Sequence, residues 1–203
     1  MKKRYFASFL ISLMLLASGC GSNTPPVVVA SIASSAAYDA DVLNGTTVSP
    51  PNTASVLAGI DPFSSSEYRA FLLFPLVGAV PGNAFIDSAT LDIFIDSITL
   101  HPSASSIPIR IELVSYNPPV IPSDYDRVNL PPLAYTTIIP PISTADVLRH
   151  VRIDVTGLMV EAQIRGLSNF QIRILEDDGF VYPGLIEINE TNAKAPLLVV
   201  AYH

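Results

Sequence analysis

The chain contains one cysteine, no tryptophan and few charges: Lys, Arg, Asp and Glu together make 14% of its 203 residues. A single Cys excludes an internal disulfide and any zinc site built on several thiolates. Basic residues are the scarcer sign, eleven against eighteen acids, for a net charge of −7. A chain of that balance has no clustered cations with which to hold a phosphate backbone, so no nucleic-acid partner is expected. The low charge and 49% apolar content also exclude an acidic disordered chain. Long apolar runs are missing except at the start. The length suits one domain with a real core.

The N-terminal run is the exception, and it reads as an address. Lys2, Lys3 and Arg4 precede Phe6 to Ala17 (FASFLISLMLLA). This is shorter than the ~20 apolar residues that span a bilayer, and with its basic flank it reads as a secretory signal. The segment closes on Leu16-Ala17-Ser18-Gly19-Cys20. That ending resembles the bacterial lipobox, a resemblance that implies cleavage before Cys20 and lipid attachment to it. The expected organisation is a signal peptide over 1–19, a lipidated Cys20 with a polar tether over 20–26, and a single domain over 27–203. Removing Lys2, Lys3 and Arg4 takes the eleven basic groups to eight against eighteen acids, a mature net charge of −10. No polybasic patch supports membrane binding, so the lipid itself must anchor the chain. Gly21 is not the aspartate that resembles an inner-membrane retention signal, so the expectation is an outer-membrane lipoprotein.

Period-2 patterns dominate the rest. Leu91, Ile93 and Ile95 alternate with Asp92, Phe94 and Asp96. Ile109, Ile111 and Leu113 alternate with Arg110, Glu112 and Val114. Ile153 and Val155 flank Asp154, and Phe170, Ile172 and Ile174 flank Gln171 and Arg173. Such alternation places one face in a core and the other in water. Tyr68 to Phe74 (YRAFLLF) is apolar enough for burial on both faces, and Leu197 to Tyr202 closes the chain as a strand. Clusters such as Pro50-Pro51-Asn52 and Asn117-Pro118-Pro119 punctuate them as turns. Val155, Leu158, Met159 and Ala162 have helical spacing, which predicts one short helix over about Gly157 to Arg165, capped by Thr156 and stopped by Gly166. The expected fold is all-β: an antiparallel β-sandwich of jelly-roll type, with eight to ten strands and one helix.

Five stretches in order carry a family resemblance. Ala37 to Val42 (AYDADV), Tyr68 to Leu76 (YRAFLLFPL), Ile86 to Phe94 (IDSATLDIF), Ile153 to Thr156 (IDVT) and the close from Glu190 to Tyr202 are similar to DNRLRE-type domains, which include the family-96 carbohydrate-binding modules. The resemblance implies a secreted β-sandwich that binds an extracellular polysaccharide. Where such domains carry tryptophans, this chain has the Pro-rich segment Tyr116 to Tyr135, so sugar stacking would fall to Tyr116, Tyr125 and Tyr135. Arg69, set in an apolar strand, is a further ligand contact, the other reading being an arginine paired with an acid such as Glu112 or Asp92. Modules of this type often hold a structural Ca²⁺, which the resemblance allows at Asp39, Asp41, Asp177 and Asp178.

Catalytic patterns are missing. His101, His150 and His203 are widely separated, and no HExxH, G-x-S-x-G or phosphate-binding glycine loop occurs. The sequence therefore reads as a non-catalytic binding module. A structural or assembly module that binds other surface proteins is the alternative, and a polysaccharide-active enzyme is a weaker one.

Overall fold

The computed structural model describes residues 25–177 and 182–203. The expected signal peptide and tether residues up to 24, with Cys20, and Asp178 lie outside the described residues. The strands are β1 (Val28–Ala33), β2 (Ala40–Leu43), β3 (Thr47–Val48), β4 (Ser55–Ile60), β5 (Glu67–Pro75), β6 (Ile86–Leu100), β7 (Ser106–Ile107), β8 (Ile109–Val114), β9 (Ala134–Thr137), β10 (Ile142–Ser143) and β11 (Arg149–Asp154). The helix α1 (Thr156–Ile164) follows, then β12 (Asn169–Glu176), β13 (Gly184–Asn189) and β14 (Leu197–Tyr202). The fourteen strands among the described residues exceed the expected eight to ten, and three of them, β3, β7 and β10, are only two residues long. Among the described residues no helix is long and apolar enough to cross a membrane.

Twelve strands form one antiparallel sheet that curls on itself. The 15-residue β6 is its spine. The first half of β6 pairs with β14 on one edge and β11 on the other, while its second half pairs with β13. This produces a layer β1-β14-β6-β11. A second layer runs β3-β2-β5-β12-β8-β9. Between them β13 and β4 carry the ladder from β6 to β5. The two layers share one core: Leu91, Ile93, Ile153, Leu198 and Val200 from the first meet Leu72, Phe74, Ile111, Leu113, Phe170 and Ile172 from the second. Each such side chain contributes about 1.5–3 kcal/mol on burial. The result is an all-β sandwich with one α-helix among the described residues, as the alternation predicts.

Helix α1 lies against β6, β8, β9 and β12 and closes the sandwich, with Leu158, Met159 and Ala162 turned inward. Its start differs by one residue from the expected one. Thr156 is the first helical residue, and its side chain does not cap the helix. Instead Asp154 Oδ1 accepts from the Thr156 amide at 2.9 Å and from its hydroxyl at 2.6 Å, which holds the Asp154 carboxyl below its ordinary value. The same hydroxyl accepts the Ala89 amide of β6 at 2.9 Å and so docks the helix on the spine. At the far end Gly166 takes φ +64° and stops the helix, as expected.

Where β4 and β13 cross between layers, the backbones come too close for side chains. Gly59 has φ +115°, and a Cβ there would lie 2.2 Å from the Gly184 carbonyl oxygen. A Cβ on Gly184 would meet Ile107 at 2.4 Å.

Candidate functional site

Prolines at 118, 119, 122, 131 and 132 deprive the segment after β8 of backbone donors, so it cannot extend the sheet as a strand. It lies instead as a strap, with a short 3-10 turn at Pro122–Tyr125, across the outer face of the second layer. Its Tyr116, Val120 and Leu130 pack on Ala40, Val42, Phe71 and Val114, a second hydrophobic core on the far side of the sheet from the first.

Cross-strand register puts Phe71, Arg173, Glu112 and Tyr135 in one row over β5, β12, β8 and β9. The strap covers the middle of that row. The Arg173 guanidinium, fully buried, donates to Glu112 Oε2 at 2.8 and 2.6 Å. It also donates to three strap carbonyls, Asp124 at 2.9 Å, Leu130 at 3.1 Å and Tyr125 at 3.4 Å. The Glu112 carboxylate, also fully buried, takes Arg127 of the strap on its other oxygen at 2.7 Å. Arg110 stands 3.9 Å from Glu112 and binds Asp177 at 2.6 Å. Burial lowers the Arg173 pKa from its ordinary range, and Glu112 opposes that shift. A buried Arg–carboxylate pair with this many hydrogen bonds fixes the strap by geometry as well as charge.

One side of the strap opens into a cleft of about 440 Å³. Arg69, Tyr125, Arg127, Asp126, Asn129 and Gly45 line it. The Arg69 Nε binds Glu67 at 2.7 Å, its Nη1 donates to the Tyr125 carbonyl, and its guanidinium sits 3.9 Å over the Tyr125 ring. Gly45, at φ +66°, lets the Tyr125 ring approach the β2–β3 turn. Guanidinium and amide donors beside a carboxylate acceptor and an aromatic edge suit a polyhydroxylated or carboxylated ligand.

The structure brings two of the four predicted ligand contacts together. Arg69 and Tyr125 share the cleft. Tyr116 does not offer a ring to solvent: it stands edge-to-face on Phe71, with ring centroids 5.7 Å apart, and burial pushes its hydroxyl pKa up. Tyr135 is exposed on β9 with the Arg110 guanidinium 4.6 Å over its ring, outside the cleft lining. Neither acid expected to pair with Arg69 does so: Arg69 binds Glu67, Glu112 takes Arg173 and Arg127, and Asp92 takes His150 and Arg152.

The described acids among those expected to hold Ca²⁺, Asp39, Asp41 and Asp177, do not gather at one site. Asp41 Oδ2 accepts the Leu57 amide at 3.1 Å, and Asp177 bonds Arg110 and Thr137. Among the described residues no three His, Cys, Asp or Glu side chains gather as a metal site. Asp39 lies in another setting, buried against Glu190 at the end of β13. Asp39 Oδ1 accepts the Leu73 amide at 2.8 Å, and Ser34 donates to Glu190 Oε2 at 3.4 Å. Asp39 Oδ2 and Glu190 Oε1 have no donor. A proton shared between the two carboxyls would supply the missing bond. Burial raises both pKa values, and the neighbouring carboxyl raises Glu190 further, to about 9.

Sequence reasoning missed Glu112, Arg173 and Arg127 as one network, and Asp39 with Glu190 as a pair. A signal for the first was present: charged residues inside β8 and β12, beside a Pro-rich segment carrying spare apolar side chains. No protein-family model matches the chain, and no curated protein matches it.

Proposed function

We propose that this chain is a non-catalytic surface lipoprotein, anchored through Cys20 in the outer membrane, whose sandwich presents a binding site for an extracellular polysaccharide. The observation that carries the reading is the cleft beside the strap. Its polar side chains converge from strand β5 and from the strap, which Arg173 and Glu112 hold rigidly in place. A preformed polar cleft with an aromatic edge loses little entropy on taking up a sugar. Asp39 and Glu190, whose pKa values burial raises, lie outside the cleft lining. Tyr125→Ala removes the aromatic edge and is expected to weaken retention on the polymer about 3- to 10-fold, the effect of roughly 0.5–1.5 kcal/mol of ring contact. The measurement is affinity electrophoresis against a panel of polysaccharides, with thermal melting as a check on folding. Unchanged retention removes Tyr125 from the site, and no retention of the native protein on any polymer sinks the polysaccharide reading.

A protein partner is the second reading. Ile121 and Val128 project from the strap into solvent beside the cleft, the kind of exposed apolar pair that association covers. Co-purification of a surface protein lost in Val128→Ser would favour it.

A further inference from the structure

At one end of the sandwich, apolar side chains crowd the surface. The chain enters there, with Val27, Val28 and Val29 exposed. Val28 pairs with Tyr202, and Tyr202 with Ile86 at the start of β6. Just before it Phe85 is 65% exposed and is joined to His203 by two backbone hydrogen bonds of 2.8 and 3.0 Å. Tyr202 donates to the Ala79 carbonyl at 3.3 Å, which ties in the turn carrying Val77, 79% exposed. Gln163 donates to the Pro81 carbonyl at 2.7 Å, which adds the C-terminus of α1 and its exposed Ile164. Three elements thus bring Val28, Phe85, Val77 and Ile164 to the end where the polypeptide begins its first strand.

We propose that this end rests on a lipid bilayer, with Phe85, Val77 and Ile164 seated at the boundary of headgroups and acyl chains. The inference depends on the lipid anchor at Cys20. Only six residues, seven Cα-to-Cα steps, separate Cys20 from Val27. Fully extended, they reach roughly 25 Å at about 3.3–3.6 Å per residue. The tether is therefore shorter than β6, whose 15 residues extend roughly 50 Å. An anchor so short holds the entry end near the membrane and leaves the β4–β5 hairpin, at the other end of β6, turned away. At the docking end Asp87 hydrogen-bonds the His203 ring at 3.0 Å, and Glu161 pairs with Arg165 at 2.6 Å. Apolar contact, with no cluster of basic residues to assist it, then sets the orientation.

The chain has no tryptophan, so single reporters are unambiguous. The mature lipoprotein is reconstituted into phosphatidylcholine vesicles as Phe85→Trp and, independently, Val77→Trp. Both are expected to show blue-shifted emission and to lose intensity when the acyl chains are brominated. Phe63→Trp, in the β4–β5 hairpin, is expected to keep water-exposed emission and full intensity. Labelled palmitate incorporation, lost in Cys20→Ala, checks the anchor separately. Palmitate uptake with unquenched reporters at Phe85 and Val77 overturns the docking alone. No palmitate uptake by the native chain overturns the anchor, and the docking with it.

Discussion

Arg173→Met is expected to lower the unfolding free energy by about 3 kcal/mol and to free the strap for proteolysis. Removing one partner of a buried ion pair costs about 3–5 kcal/mol, because the remaining charge stays buried without compensation. Here Glu112 keeps Arg127 at 2.7 Å, which places the loss toward the lower end of that range. The carbonyls of Asp124, Tyr125 and Leu130 lose their donor in the same step. Met replaces the aliphatic stem but leaves the space of the guanidinium's outer atoms unfilled, so a small cavity adds to the electrostatic loss. Adding Glu112→Leu removes the stranded carboxylate and should recover much of the loss, since a buried pair exchanged for apolar residues is often neutral or better. Urea midpoints of the single and double variants, with tryptic cleavage at Arg127, measure both effects. A single variant as stable as the native chain would show that the strap is held by its apolar contacts alone.

That network also marks where the sequence stops being legible. Alternation in Ile109–Val114 and Phe170–Ile174 correctly puts Ile111, Leu113, Ile172 and Ile174 into the main core. The same alternation assigns Glu112, Gln171 and Arg173 to water, and all three are buried. Period-2 reasoning distinguishes two faces of a strand but not what lies on each. What covers the second face is a segment read as turn punctuation. Its prolines are visible in the sequence, but their consequence is a long-range one: Tyr116, Val120 and Leu130 need a surface to bury against, and the outer face of β5, β12 and β8 is the surface within reach. Tyr116 fails as a ligand contact for that reason. It is an anchor of the strap, while Tyr125, nine residues on, ends at the rim of the cleft. The helix was legible to within one residue because its pattern is local, and the exchange of roles between Thr156 and Asp154 depends on β6 supplying the Ala89 amide. The pairing of Asp39 with Glu190 joins residues 151 apart in the sequence, beyond any spacing rule.

The Asp39–Glu190 pair predicts a stability that falls as pH rises. Glu190 is held at about 9 in the folded chain against an ordinary 4.5, its burial being the main cause and Asp39 the next. Below pH 4.5 the group carries its proton in both folded and unfolded states, and its contribution is complete. Between 4.5 and about 9 the folded chain keeps a proton that the unfolded chain has lost, so stability declines by about 1.4 kcal/mol per pH unit for each such proton. Glu176, raised by burial to about 7, adds to the decline over the lower part of that window. Burial shifts Asp41 the same way. Asp154, lowered by Thr156, acts in the opposite sense only in more acidic solution, below its ordinary 3.8. The melting temperature should accordingly be higher at pH 5 than at pH 9, where each kcal/mol is worth about 2–4 °C for a domain of this size. Glu190→Gln replaces the shared proton with an amide that donates to Asp39 at every pH. It is expected to flatten the pH dependence and to raise the melting temperature most at pH 9, where the native pair is losing its proton and two buried carboxylates repel each other. Calorimetric melts of both chains at pH 5, 7 and 9 decide the matter: a native melting temperature that does not fall across the series, or a Glu190→Gln slope equal to the native one, would mean that the two carboxyls do not share a proton.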